Sequence, residues 1–93
     1  MSKYTIKFTS QFKKDVKRSK KQNKDIDLLF EIIDKLSNGE ILDKKYKVHE
    51  LKGKLEGIIE CHIEPNWLLE YQYFESQLIL MCIRIGSHNE LFK

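Results

Sequence analysis

The sequence predicts a single small α+β domain in the order β-α-α-β-β-β, with two N-terminal helices packed on one face of a mainly antiparallel sheet. Three observations predict it. Residues 25–36 repeat apolar side chains at the helical period, whereas other stretches alternate or run apolar over strand lengths. Turn chemistry separates these stretches at Asn38-Gly39, Glu64-Pro65-Asn66 and Glu75-Ser76-Gln77. Finally, 93 residues (1–93) are the size of one domain, and 41% hydrophobic content suffices for one modest core.

Lys3 to Phe8 alternates, with Tyr4, Ile6 and Phe8 apolar, and reads as the first strand. Thr9 and Ser10 are good caps for a helix running to about Lys21, whose apolar stripe is thin (Phe12 and Val16). Asp25 to Leu36 is the clearer helix. Ile26, Leu29, Ile33 and Leu36 follow the 3.6 period, and Asn38-Gly39 supplies a left-handed stop. Glu40 to Leu55 has no sustained periodicity, which predicts a long loop of the kind that often carries function. Three strands follow. Ile58 to Ile63 places Ile59, Cys61 and Ile63 on one face; Trp67 to Phe74 places Trp67, Leu69, Tyr71 and Tyr73 together. Leu78 to Ile85 is apolar on both faces and reads as a central strand, ended by Gly86-Ser87.

Composition excludes several classes. One proline and four glycines are too few for collagen-like or linker sequence. No apolar run approaches the ~20 residues that span a bilayer, and the first residues lack the apolar core of a signal peptide, so a cytoplasmic protein is expected. Cys61 and Cys82 each lie in an apolar run, as buried thiols do. There is no Cys-x-x-Cys or His-x-x-x-His spacing, so no metal ligands and no cofactor are expected.

The net charge of +3 hides a polarised chain. Residues 1–24 carry nine Lys or Arg against one acid, Asp15; the other 69 carry eight basic and thirteen acidic side chains. One strongly positive surface suits a polyanion, although a lysine-rich solvated helix would produce the same run.

Arg84 is the one charged residue in the central strand, where an unpaired guanidinium would be costly. It must snorkel, pair with a carboxylate or face a site. His88 follows shortly after that strand, His62 ends another, and His49 lies in the long loop. Histidines grouped with an arginine supply what RNA cleavage needs without a metal. One group takes the 2′-hydroxyl proton, another protonates the leaving 5′-oxygen, and a cation stabilises the phosphate. Trp67 reads most simply as core filling. Phe92, near the end of the chain, is harder to explain as core, and an aromatic there could stack on a nucleobase.

Three segments carry a resemblance. Residues 46–53 (YKVHELKG), 60–71 (ECHIEPNWLLEY) and 84–92 (RIGSHNELF), together with Phe12-Lys13-Lys14-Asp15, resemble the YafQ-like branch of the RelE superfamily. These are the mRNA-cleaving halves of bacterial type II toxin–antitoxin pairs. The resemblance spans nearly the whole chain and implies a RelE-like fold. It also implies a ribosome-dependent, metal-independent endoribonuclease that cuts mRNA in the A site and inhibits translation. The implied partners are a cognate antitoxin, in a hetero-oligomer, and the ribosome with its rRNA and mRNA; no membrane is involved.

Position by position, the resemblance makes His49, His62, Arg84 and His88 catalytic, with Trp67 and Phe92 packing or stacking against RNA bases. His88 is expected as general acid, His49 or His62 as general base, and Arg84 as the phosphate clamp. Asn66 stands where the family commonly has aspartate; an amide can orient a group but cannot accept a proton as a base. The basic helix, through Lys13, Lys14, Lys17, Arg18, Lys20 and Lys21, is expected to contact rRNA phosphates. The competing reading is a non-catalytic nucleic-acid- or ribosome-binding module, or an antitoxin-bound regulatory one.

Overall fold

A computed structural model describes residues 2–92. Strand β1 (Thr5–Phe8) is followed by helices α1 (Ser10–Lys21) and α2 (Ile26–Ser37). Both helices begin where a side chain can satisfy a free amide: Thr9 Oγ1 accepts from Phe12 N at 2.9 Å, and Asp25 Oδ1 from Leu28 N at 3.0 Å. Gly39, at φ +77°, takes the left-handed stop after α2. The rest of the chain forms β2 (His49–Glu50), β3 (Ile59–Glu64), β4 (Trp67–Phe74), β5 (Ile79–Gly86) and a terminal turn of helix, α3 (His88–Leu91).

The five strands lie in the order β1-β5-β4-β3-β2; β1 is parallel to β5 and every other pair is antiparallel. The helices cover one face, burying Phe12, Leu29, Ile32, Ile33 and Leu36 in one core with Cys61, Leu69, Tyr71, Leu80, Cys82 and Ile85. Cys61 and Cys82 are free, buried thiols, and burial pushes both up to about 12. Among the described residues, no helix is long and apolar enough to cross a membrane.

Two elements depart from the sequence reading. The expected long loop contains β2, only two residues that pair with Glu60 and Ile59, too short to show a period. Gly86-Ser87 does not simply end the last strand: Ser87 caps α3 in a reciprocal box with Glu90. His88 therefore opens a helical turn rather than lying in a loop.

The central strand also holds an irregularity that alternation could not show. Glu70 pairs with Arg84, but Tyr71 pairs with Cys82, so Ile83 is an extra residue in β5. Without this bulge Arg84 would share the core face of Leu80 and Cys82; with it, Ile85 enters the core and Arg84 turns to the other face.

Candidate functional site

β1 ends opposite Cys82, which leaves the last residues of β5 without a strand on that side. Side chains take its place. Thr9 Oγ1 donates to Ile83 O at 2.7 Å, Ile85 N donates to Asp15 Oδ2 at 3.2 Å, and Arg18 Nη2 donates to Ile85 O at 2.9 Å. Asp15 is fully buried. It also accepts from Arg84 Nε and Nη2 and Arg18 Nη1, each at 3.0 Å, and from Gln11 Nε2 at 3.1 Å. Burial alone would raise its pKa, but the hydrogen bonds led by Arg84 outweigh that and hold it below the ordinary carboxylate range.

Arg84 is thus an ion-paired arginine facing away from the core, and Asp15 fixes its orientation through two bonds. The sequence offered this option without naming the carboxylate. The signal was present: Asp15 is the sole acid among the first 24 residues.

Arg18 corrects the expected set of RNA-binding cations. Its guanidinium meets Asp15 and Ile85 O and lies 3.0 Å from Glu90 Oε2, so it is committed within the protein. Gly86 leaves room beside it, because a Cβ there would sit 2.7 Å from Arg18 Nη2 and push that guanidinium aside. Lys13, Lys14, Lys17, Lys20 and Lys21 are exposed, as a polyanion-binding surface needs.

Across the sheet, the face opposite the helices carries a row of ionisable residues in register: His49 on β2, Glu60 on β3, Glu70 on β4 and Arg84 on β5. Glu60 and Glu70 are directly opposite each other and each only 5% exposed. Burial raises the Glu70 carboxyl, and the neighbouring Glu60 charge raises it further, with Arg84 opposing. Glu60 Oε2 is buried without a hydrogen-bond partner among the described residues.

Glu60 Oε1 lies 3.3 Å from His49 Nε2, while His49 Nδ1 is 2.8 Å from Lys47 O. A carbonyl only accepts, so Nδ1 carries a hydrogen. Nε2 is thus the ring nitrogen that faces the Glu60 carboxyl. The His62 ring centre is 6.2 Å from that of His49, and its Nδ1 donates to Pro65 O at 3.3 Å. That bond places the His62 lone pair on Nε2. One donor atom from each of His49, Glu60 and His62 lies within 4.8 Å of the others, so these three could hold a divalent cation. Sequence spacing could not show this, because His49 and Glu60 meet by strand pairing. Glu60 itself escaped the sequence reading, although it shares a strand face with His62.

The remaining predicted residues fall around the β3–β4 turn. Asn66 Oδ1 accepts from His88 N at 3.0 Å, so the amide ties the start of α3 to the turn. Here Asn66 orients a backbone, a task that needs only an acceptor. His88 is exposed, with Phe92 packed on it at 5.0 Å between ring centres. Trp67 corrects the expectation of a base-stacking surface: it is 1% exposed, and its indole Nε1 donates to Ser19 Oγ at 3.2 Å. It supports the site from within the core.

Comparison with known proteins agrees with this architecture. The family model described as bacterial toxin of type II toxin-antitoxin system, YafQ, matches residues 4–93. The mRNA interferase toxin YafQ of Escherichia coli K12 is 35% identical over 88 residues, 94% of each chain. The crystal structure of the E. coli DinJ-YafQ toxin-antitoxin complex is similar at a TM-score of 0.88 and 34% identity, covering 98% of this chain and 99% of that one. A metal-bound toxin from Helicobacter pylori is similar at 0.90 and 40% identity, covering 96% and 99%. The chain belongs to the YafQ family of type II toxin–antitoxin toxins.

Proposed function

We propose that this toxin is an mRNA endoribonuclease that acts in the ribosomal A site by acid–base chemistry and thereby inhibits translation. The observation that carries this reading is the juxtaposition of His49 and His62, 6.2 Å apart, on the face that also carries Arg84. His62 Nε2, with its lone pair available, removes the proton from the 2′-hydroxyl. The 2′-oxygen attacks phosphorus, the bond to the 5′-oxygen breaks, and His88 donates a proton to that oxygen. The products are a cyclic phosphate and a 5′-hydroxyl. His49, protonated against Glu60, and Arg84, held by Asp15, oppose the charge that builds on the phosphate. Arg84 Nη1 makes no hydrogen bond among the described residues and is available for this. Phe92 stacks on a base from the His88 side.

The exposed lysines of α1 meet rRNA phosphates. Acting on ribosomes, the toxin works in the bacterial cytoplasm, where a cognate antitoxin holds it in check in a hetero-oligomer. Asn66 keeps the site competent, because its duty at His88 N is one of accepting a hydrogen bond.

The scheme needs no metal. A second reading is favoured by one observation, the His49–Glu60–His62 set: a cation there would polarise the phosphate or hold the site inactive. One experiment separates these readings and the non-catalytic alternative. Programmed ribosomes are incubated with toxin in EDTA, and 5′ ends are mapped for wild type, His88→Gln and Arg84→Ala. Cutting at an A-site codon that survives EDTA and is lost in both variants is expected. A folded, ribosome-binding wild type that cuts nothing in EDTA but cuts with added zinc supports the metal reading. No cutting in either condition leaves the binding module.

A further inference from the structure

We infer that the cleft along the open edge of β3 is a nucleotide subsite, taking the base and phosphate next to the scissile bond on the β2 side of His62. This rests on the proposed endonuclease and names where its substrate continues. β2 pairs only with Ile59 and Glu60, so β3 from Cys61 onward has no strand beyond it. The turn at Lys44–Tyr46 and the start of α2 border that edge instead and enclose a cleft of about 480 Å³. Its volume falls within the ~300–1,000 Å³ of ligand-sized sites.

The lining suits one nucleotide. Leu28, Ile63 and Pro65 give apolar surface, and Tyr46, partly packed on the core with Lys45 Nζ 5.2 Å from its ring centre, gives an aromatic ring that a base can meet once Lys45 turns to a phosphate. Lys45 and Lys47, both exposed, put two cations at the rim for a phosphate. His62 lines the cleft too, so the cleft is continuous with the reacting groups.

The turn that builds this wall also sets the neighbouring histidine. Lys47 adopts a left-handed conformation (φ +48°), unusual for a residue with a side chain, and its carbonyl receives His49 Nδ1. An occupant of the cleft is thereby held in register with His49 and His62. Glu64 is the one acid lining it; it lies 3.9 Å from Lys24 Nζ and offers only acceptors. An acceptor favours a base with an exocyclic amino group (adenine, cytosine or guanine) over uracil.

The test compares cleavage of ribosome-bound messages that differ only in the base on either side of the cut. Wild type is expected to prefer adenine, cytosine or guanine over uracil at one of these positions. Tyr46→Ala should cut those messages roughly tenfold more slowly, as loss of one stacking contact implies. Glu64→Gln should level the preference, and Lys45→Ala should slow all messages alike. Preference and rates that are unchanged in all three folded variants overturn the subsite. So does a loss of antitoxin affinity in Tyr46→Ala with cleavage intact, which would make the cleft a protein-docking surface.

A second measurement does not depend on catalysis. Amide and side-chain resonances are followed while a trinucleotide with a 2′-deoxy central sugar is added to millimolar concentration. Shifts at Leu28, Tyr46 and Ile63 support the subsite even if wild type cuts nothing, in which case the endonuclease reading alone fails. Still resonances together with unchanged cleavage preference reject the subsite and leave the endonuclease standing; still resonances in a wild type that cuts nothing reject both.

Discussion

Asp15, on α1 against the edge of β5, and Glu60, on β3, are both buried carboxylates, and the structure treats them in opposite ways. Asp15 stands in for a missing strand and accepts hydrogen bonds from Gln11, Arg18, Arg84 Nε and Nη2 and the Ile85 amide. Glu60 has one oxygen near His49 and the other buried without a partner. A native fold rarely leaves such an atom unsatisfied without a use for it. The contrast supports a scaffold at the β5 edge and the proposed chemistry at the β2–β3 edge, with Arg84 joining the two.

Breaking the satisfied end should cost the most. Removing the Asp15 carboxylate strands two arginines and an amide, so Asp15→Ala should lose about 3–5 kcal/mol of stability. For a domain of this size that lowers Tm by roughly 15–30 °C, readable by thermal circular dichroism. The pH dependence has a definite sign. With its pKa held below the ordinary value, Asp15 contributes stability that is complete above the ordinary carboxylate range and is lost as pH falls through the lowered value. Asp15→Asn should flatten that acid limb of a stability–pH curve.

At the other end the effect should fall on rate. His88→Gln should cut A-site cleavage by about 10²–10⁴-fold while leaving Tm unchanged, since the exposed ring only packs on Phe92. A matching loss of Tm would mean that the ring belongs to the scaffold. A smaller change belongs to the basic helix. Lys13, Lys17 and Lys20 replaced together by Ala should lower the slope of log affinity for ribosomes against log salt by about 2–3, with folding intact. Arg18 is left out of that set because Asp15 and Glu90 already hold it.

The smallest effect is expected at Glu70, which sits between the two ends. Its pKa is raised first by burial and then by Glu60, so its ionisation opposes folding. Stability from this group is complete below the ordinary carboxylate range and declines as pH rises toward its raised value. Glu70→Gln should therefore raise Tm by a few degrees at neutral pH and not in acid, a difference that paired melting curves would show.

Much of this arrangement was legible in the sequence. Alternation in 59–63 and 67–73 correctly assigned the core face, while the cap at Thr9 and the helical period of residues 25–36 marked the two long helices. The histidines and Arg84 were visible as polar residues among apolar runs. What escaped depends on pairing between distant residues. The Ile83 bulge inserts one residue without any change in composition, and β2 is two residues long. Charge alone also cannot distinguish a lysine facing solvent from Arg18, which is spent on Asp15 and Glu90, although the Asp15–Arg18 spacing of three on a helix was a clue. The Ser87–Glu90 spacing fits a capping box, but the sequence reading took Gly86-Ser87 only as the end of the strand and missed α3.

On this contrast Glu60 belongs to the proposed chemistry and Asp15 to the scaffold. Glu60→Gln tests it most directly when Tm and single-turnover cleavage on programmed ribosomes are measured on the same preparation. Tm should be unchanged or higher, with cleavage slowed by about 10²-fold, as expected when an acid–base partner is lost. A lower Tm with an unchanged rate per folded molecule would contradict it and make Glu60 a second structural carboxylate.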